Sequence, residues 1–200
     1  MLKVNCDKKG ILRASEIIRK GGVVIFPTDT VYGIGCDPYN KNSIERIYKI
    51  KSRDKTKPFP VLAYSKEAVS RIVDFDKYSE KLAEKFWPGP LTLILESTDE
   101  KLKKSLNVVK KIAIRVPNNN CTLGLLKKCH FMIGTSANIS KQGSFNDPTK
   151  CYQSMKNFDL FLDGGKILNG VTSTIIEVVN GEVKIQREGA LTKEEIIRAL

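Results

Sequence analysis

Residues Thr174–Gln186 read TIIEVVNGEVKIQ, two β-prone segments joined by Asn180-Gly181. Asn-Gly supplies the two positive-φ positions that a two-residue type I′ turn requires, so the stretch predicts a hairpin with strands over Thr174–Val179 and Glu182–Gln186. A hairpin is antiparallel. The rest of the chain alternates helical with strand-like segments, which is the pattern of βαβ units. Together they predict an α/β fold built on a twisted sheet of mixed parallel and antiparallel strands with flanking helices.

Outward from the hairpin, the C-terminal side carries a capping box from Thr192 to Glu195 that opens a last helix. On the N-terminal side, Phe158–Leu162 reads as a strand. Asp147-Pro148 reads as a helix N-cap followed by proline at the first helical position. Further back come a strand at His130–Ile133, a helix around Thr122–Lys128, and strands at Ile112–Val116 and Leu91–Leu95. Two short helices precede Trp87-Pro88-Gly89-Pro90, and a strand lies near Val61–Tyr64. A helix over Ser43–Lys51 turns Ile44, Ile47 and Tyr48 inward and pairs Glu45 with Lys49 at i, i+4. Val23–Phe26 is a short buried strand. The first helix carries Ile11, Leu12, Ile17 and Ile18 on one face and stops at Gly21-Gly22.

Two hundred residues with 41% hydrophobic content suit one domain, residues 1–200, with a sizeable core. No stretch approaches the roughly 18 unbroken apolar residues of a membrane span. The N-terminus has no secretory h-region, so a cytoplasmic protein is expected. The cysteines Cys6, Cys36, Cys121, Cys129 and Cys151 form no CxxC pair, and His130 is the only histidine. A zinc site therefore has no support, and reduced, packed thiols are expected. The net charge of +12 suits polyanionic partners, and equally suits solvated lysine-rich faces.

Four polar clusters sit at strand ends or in loops, where α/β proteins place their sites. Pro27–Gly35 brings hydroxyls and glycines directly after a buried strand; it could line a pocket or simply turn the chain. Lys51-Ser52-Arg53, followed by Lys55 and Lys57, could grip phosphates or merely answer a helix dipole. Gly134–Ser140 offers small hydroxyls, an amide and backbone N–H groups suited to phosphate or ribose. Arg115 and Arg187 each end a strand, with Ser173-Thr174 nearby, and a guanidinium so placed can take a carboxylate or phosphate two-handed. No GxxxxGK(S/T) or GxGxxG motif occurs. A lone histidine makes Ser-His-Asp or Cys-His catalysis improbable, which leaves a cationic, hydroxyl-lined site acting by positioning and electrostatics.

Taken in order, PTDTVYGIGCD, KSR, WPGPLTLIL, IAIRVP, GTSANISKQG, TSTIIE and QREGAL resemble the YrdC-like family of threonylcarbamoyl-AMP synthases, from about Gly22 to Leu191. The resemblance implies a YrdC/RibB-like fold with a deep basic cavity. It implies conversion of L-threonine, bicarbonate and ATP to threonylcarbamoyl-AMP and pyrophosphate, for threonylcarbamoyladenosine in tRNA. The family's KxR…SxN signature falls on Lys51, Arg53, Ser136 and Asn138, the implied catalytic set. Thr30, Arg115 and Ser173 are implied on the threonine and carbamate side. Lys51, Arg53, Lys57, Gly134, Ser136, Asn138, Ser144 and Arg187 are implied around ATP. Some relatives carry Asn and His where Lys57 and Leu62 stand. Mg2+ is expected on ATP's phosphates, since magnesium keeps several waters and few protein ligands. The downstream partner implied is a tRNA threonylcarbamoyl transferase complex, with weak tRNA binding as a further expectation. Two other readings stay open: a non-catalytic RNA-binding module and a diverged paralogue acting on another carboxylate.

Overall fold

A computed structural model describes residues 1–168 and 170–200. The elements in chain order are β1 (Leu2–Asn5), α1 (Lys8–Arg19), β2 (Val24–Phe26), β3 (Gly33–Gly35), α2 (Lys41–Lys51), β4 (Val61–Ala63) and α3 (Lys66–Val69). There follow β5 (Val73–Asp74), α4 (Lys77–Phe86), β6 (Leu91–Ser97), α5 (Glu100–Leu106), β7 (Lys111–Arg115), α6 (Asn120–Cys129), β8 (Phe131–Ile133) and β9 (Thr135–Ser136). The chain continues through α7 (Pro148–Ser154), β10 (Leu160–Asp163), β11 (Thr174–Val179), β12 (Glu182–Arg187) and α8 (Lys193–Ile197).

The strands divide between two sheets where the sequence suggested one. The first runs β1-β10-β2-β3-β9, parallel on the β1 side and antiparallel on the β9 side. The second runs β12-β11-β6-β7-β4-β8, with β5 beside β6, and mixes both senses. The hairpin forms as expected: Asn180 and Gly181 take φ of 53° and 83°, the left-handed pair that the turn needs.

Alternation along the second sheet separates core from cavity. Leu91, Leu93, Leu95, Ile112 and Ile114 are buried against α2, α4, α5 and α8. Thr92, Ile94, Ala113 and Arg115 point to the opposite face and line a cavity. A smaller cluster packs Ala14 and Ile18 of α1 and Leu125 and Leu126 of α6 on Val24, Phe26, Leu160 and Leu162.

Local chemistry explains the helix starts. Asp147 accepts from the N–H groups of Thr149 and Lys150, and Thr192 and Glu195 form the reciprocal capping box. Glu45 does not pair with Lys49; Lys55 reaches it at 2.5 Å from the loop after α2. The reduced-thiol reading also needs correction, because Cys6 and Cys121 form a disulfide across 115 residues. Packing of α1 on α6 brings their Cα atoms to 5.9 Å, within bridging range. No sequence spacing announces that pairing. Among the described residues no helix is long and apolar enough to cross a membrane.

Candidate active-site cleft

The turn after β2 is built from its own hydroxyls. Thr28 Oγ1 donates to the Val31 carbonyl at 2.7 Å and accepts from the backbone N–H groups of Thr30 and Val31. Thr28 and Thr30 share a hydroxyl contact at 2.9 Å. This fixes Thr30, 3% exposed, in front of the end of β7, where Arg115 emerges. Arg115 donates through Nε to the Gly89 carbonyl at 2.9 Å, through Nη1 to Thr30 at 3.1 Å and through Nη2 to Asp29 at 2.6 Å. Burial holds Arg115 below the ordinary guanidinium pKa, and Asp29 acts in the opposite sense.

Lys51 falls on the buried face of α2 with Ile44, Ile47 and Tyr48, and the helix ends on Ser52 in the left-handed conformation, φ 49°, after which Arg53 lines the cavity. Lys51 is 2% exposed and has no carboxylate partner among the described residues. Its ammonium donates to the Ser136 carbonyl, to the Asn138 carbonyl at 2.7 Å and to Asn138 Oδ1 at 3.3 Å. Burial, with Arg53 nearby, brings its pKa down to about 7. Asn138 in turn donates to the carbonyls of Ile139 and Gln142, so the ammonium organises a closed turn.

Arg53 lies 5.0 Å above the Phe59 ring and donates to the carbonyls of Lys57 and Pro58. Arg187 reaches the cavity because of a β-bulge. The register passes from Ile175 opposite Arg187 to Ile176 opposite Ile185, leaving Gln186 as the extra residue. Such a bulge re-aims the side chains beside it, and both Gln186 and Arg187 line the cavity. Arg187 donates to the Ser173 carbonyl at 2.7 Å and to Ser173 Oγ at 3.0 Å. Its pKa is lowered by burial, then by the charges of Arg115 and Arg53.

These groups share one cavity of about 670 Å³, within the usual range for small-molecule sites. Thr30, Arg53, Lys57, Arg115, Gly134, Ser136, Ser173 and Arg187 all line it. Lys51, Asn138 and Ser144 do not; the first two stand behind the wall that Ser136 presents. Leu62 lies in the wall against Gly134, where a Cβ would come within 2.3 Å of its side chain. The sequence reading gave no role to Asp29, Thr28, Thr92 or Gln186. Asp29 and Thr28 stood inside the quoted Pro27–Gly35 cluster, Thr92 inside WPGPLTLIL and Gln186 inside QREGAL, but nothing singled these four out within their strings.

The profile of the Sua5/YciO/YrdC family, described as "Telomere recombination", matches residues 16–189. Among curated proteins, the chain is 32% identical to the threonylcarbamoyl-AMP synthase of Pyrococcus abyssi over 193 residues, covering 94% of this chain and 56% of the relative. It is 31% identical to the uncharacterized protein YciO of Escherichia coli, covering 92% of this chain and 91% of the relative. Among solved structures, P. abyssi Sua5 complexed with L-threonine superposes with a TM-score of 0.94 at 29% identity, covering 100% of this chain and 61% of that one. The chain spans about half the length of the first of these relatives. On the family profile alone, which takes in most of its length, this chain belongs to the Sua5/YciO/YrdC family.

Proposed function

We propose that this chain is a threonylcarbamoyl-AMP synthase, joining L-threonine, bicarbonate and ATP into threonylcarbamoyl-AMP with release of pyrophosphate. The observation that carries the reading is the charge layout of the cavity these groups share. Arg115 is neutralised by Asp29 at one place, while Arg53 and Arg187 have only carbonyl and hydroxyl partners among the described residues. Such a layout suits a carboxylate and a polyphosphate side by side. The Pyrococcus abyssi relatives, one named as this synthase and one complexed with L-threonine, support L-threonine as the amino-acid substrate.

The chemistry asks little of the protein beyond placement. Bicarbonate loses hydroxide to give carbon dioxide, threonine's amine adds to it and loses a proton (the two leaving together as water) to form a carbamate, and a carbamate oxygen attacks the α-phosphorus of ATP. The bond to the β-phosphate oxygen breaks, and pyrophosphate leaves. Arg53, Arg187 and Lys57 meet the charge on the phosphates; Thr30, Arg115 and Ser173 hold the amino-acid part; Gly134 and Ser136 border the nucleotide. Lys51 and Asn138 serve by fixing the Ser136 turn. Ser144, outside the cavity wall, keeps an ATP role only as an expectation. Mg2+ would arrive with ATP, held mainly by phosphate oxygens and water. The product would be passed to a tRNA threonylcarbamoyl transferase complex, and the cytoplasm and weak tRNA contact belong to the same reading.

The test is incubation of the purified chain with ATP, threonine and bicarbonate, followed by mass spectrometry. Threonylcarbamoyl-AMP should form only when all three are present; ATP consumption that ignores threonine would sink the assignment. A second reading is a relative acting on another carboxylate, and the match to the uncharacterized YciO, which spans nearly all of both chains, shows that the family also holds members of this length not named as the synthase. Replacing threonine by other amino acids and carboxylates in the same assay separates the two.

A further inference from the structure

The cavity holds three guanidiniums, and only one is discharged. Asp29 accepts from Arg115 Nη2 at 2.6 Å, and the same carboxylate oxygen accepts from the Asn118 backbone N–H at 3.1 Å. The Arg115 and Asp29 side chains are 7% and 14% exposed. Asp29 is not among the residues lining the cavity, whereas Arg115 is. Arg115 is thus held between a carboxylate behind it and the open cavity in front. Nε and one N–H on each Nη are committed to Gly89, Thr30 and Asp29; of the roughly five donors of a guanidinium, about two remain for a ligand.

We propose that Asp29 is a positioning residue that sorts the two ligands by charge. By neutralising Arg115 and fixing its fork, it reserves that end of the cavity for a singly charged carboxylate and leaves polyphosphate to Arg53 and Arg187. This rests on reading the cavity as a joint ATP and amino-acid site. The physical reason is the difference between a net charge and a directed pair of donors. A polyphosphate gains most where positive charge is uncompensated, and the Asp29–Arg115 pair offers little of it. A carboxylate is satisfied by two oriented N–H groups from a planar fork. Without Asp29, three uncompensated guanidiniums would face one cavity, and a phosphate chain could lie at either end and block the amino acid.

Calorimetric titration of inorganic pyrophosphate into the full chain tests this without requiring turnover. The unaltered protein should bind one pyrophosphate, lost or weakened at least about tenfold in Arg53→Gln/Arg187→Gln. Asp29→Asn should gain a second pyrophosphate site that disappears when Arg115→Gln is added. In the threonine-dependent assay, pyrophosphate should then compete with threonine, its inhibition constant falling by about tenfold or more. Parental stoichiometry and affinity in Asp29→Asn would overturn the proposal. If Asp29→Asn does not fold, the Arg53→Gln/Arg187→Gln variant decides. Pyrophosphate binding that survives there and vanishes on adding Arg115→Gln overturns the assignment, and its loss supports it. Should the unaltered chain show no threonine-dependent turnover while these binding results hold, the synthase reading falls and the charge sorting stands.

Discussion

The Lys51 ammonium and Asn138 are locked together twice, through the Asn138 carbonyl at 2.7 Å and its side-chain oxygen at 3.3 Å. With the Ser136 carbonyl, this uses all three ammonium protons on neutral acceptors. Lys51 therefore acts on the cavity through the Ser136 turn. Lys51→Met should lower turnover about a hundredfold, the scale of a misplaced reacting group, and cost about 1–3 kcal/mol for the acceptors left unserved. Threonine-dependent pyrophosphate release and chemical denaturation measure the two effects. Parental turnover would remove Lys51 from the mechanism.

Lys51 also makes stability depend on pH. Its pKa is about 7 in the fold against 10.5 for an ordinary lysine, so between those values the unfolded chain binds the extra proton. Stability then rises with pH across that window, and this contribution is lost as pH falls through about 7. The unfolding free energy measured from pH 6.5 to 9, about half a unit below and two units above that pKa, should slope upward more steeply than in Lys51→Met. Equal slopes would contradict the assignment.

Arg53→Gln and Arg187→Gln each remove from the cavity a cation with no carboxylate partner among the described residues, Arg53→Gln also lifting a guanidinium from the Phe59 ring. Each should reduce kcat/KM for ATP by about 10²–10³-fold with little change in melting temperature. The loss should exceed any change in the KM for threonine. A variant with parental ATP kinetics would show that its guanidinium does not meet the phosphates.

Gly134 is a matter of space. An added methyl would sit 2.3 Å from Leu62 Cδ1 and 2.4 Å from its Cγ, too close for a simple rotation to relieve. Gly134→Ala should cost about 1–3 kcal/mol by overpacking. In Gly134→Ala/Leu62→Ala the loss should be smaller than the sum of the single losses, because the clash is gone. Strict additivity in thermal or urea unfolding would show that the neighbours move apart by another route.

The Cys6–Cys121 bridge joins the residue ahead of the Asp7 N-cap of α1 to the first turn of α6. Treatment with a dithiol should destabilise the chain by about 2–4 kcal/mol, and Cys6→Ser should be equally weak and insensitive to the reagent. A melting temperature unaffected by dithiol in the native chain, with both thiols then titrating as free, would argue against a structural bridge.

What the sequence determined by itself is what short-range chemistry controls. Asn180-Gly181 can meet two left-handed positions at low cost, so the hairpin was legible from two residues. Asp147, Thr192 and Glu195 satisfy N–H groups two or three residues away, so those helix starts were legible too. The resemblance pointed to eight of the residues that line the cavity.

Tertiary structure alone decided the rest. Gly33-Ile34-Gly35 has poor strand propensity, and it becomes β3 because β2 and β9 supply hydrogen bonds on both sides. Arg115 meets Asp29 across 86 residues, and Cys6 meets Cys121 across 115. The bulge that aims Arg187 depends on where β11 and β12 lose register. The physical reason is that a turn or cap is fixed by the dihedral preferences of its own few residues. A partner for a buried charge is fixed only when packing removes water and leaves one neighbour within reach.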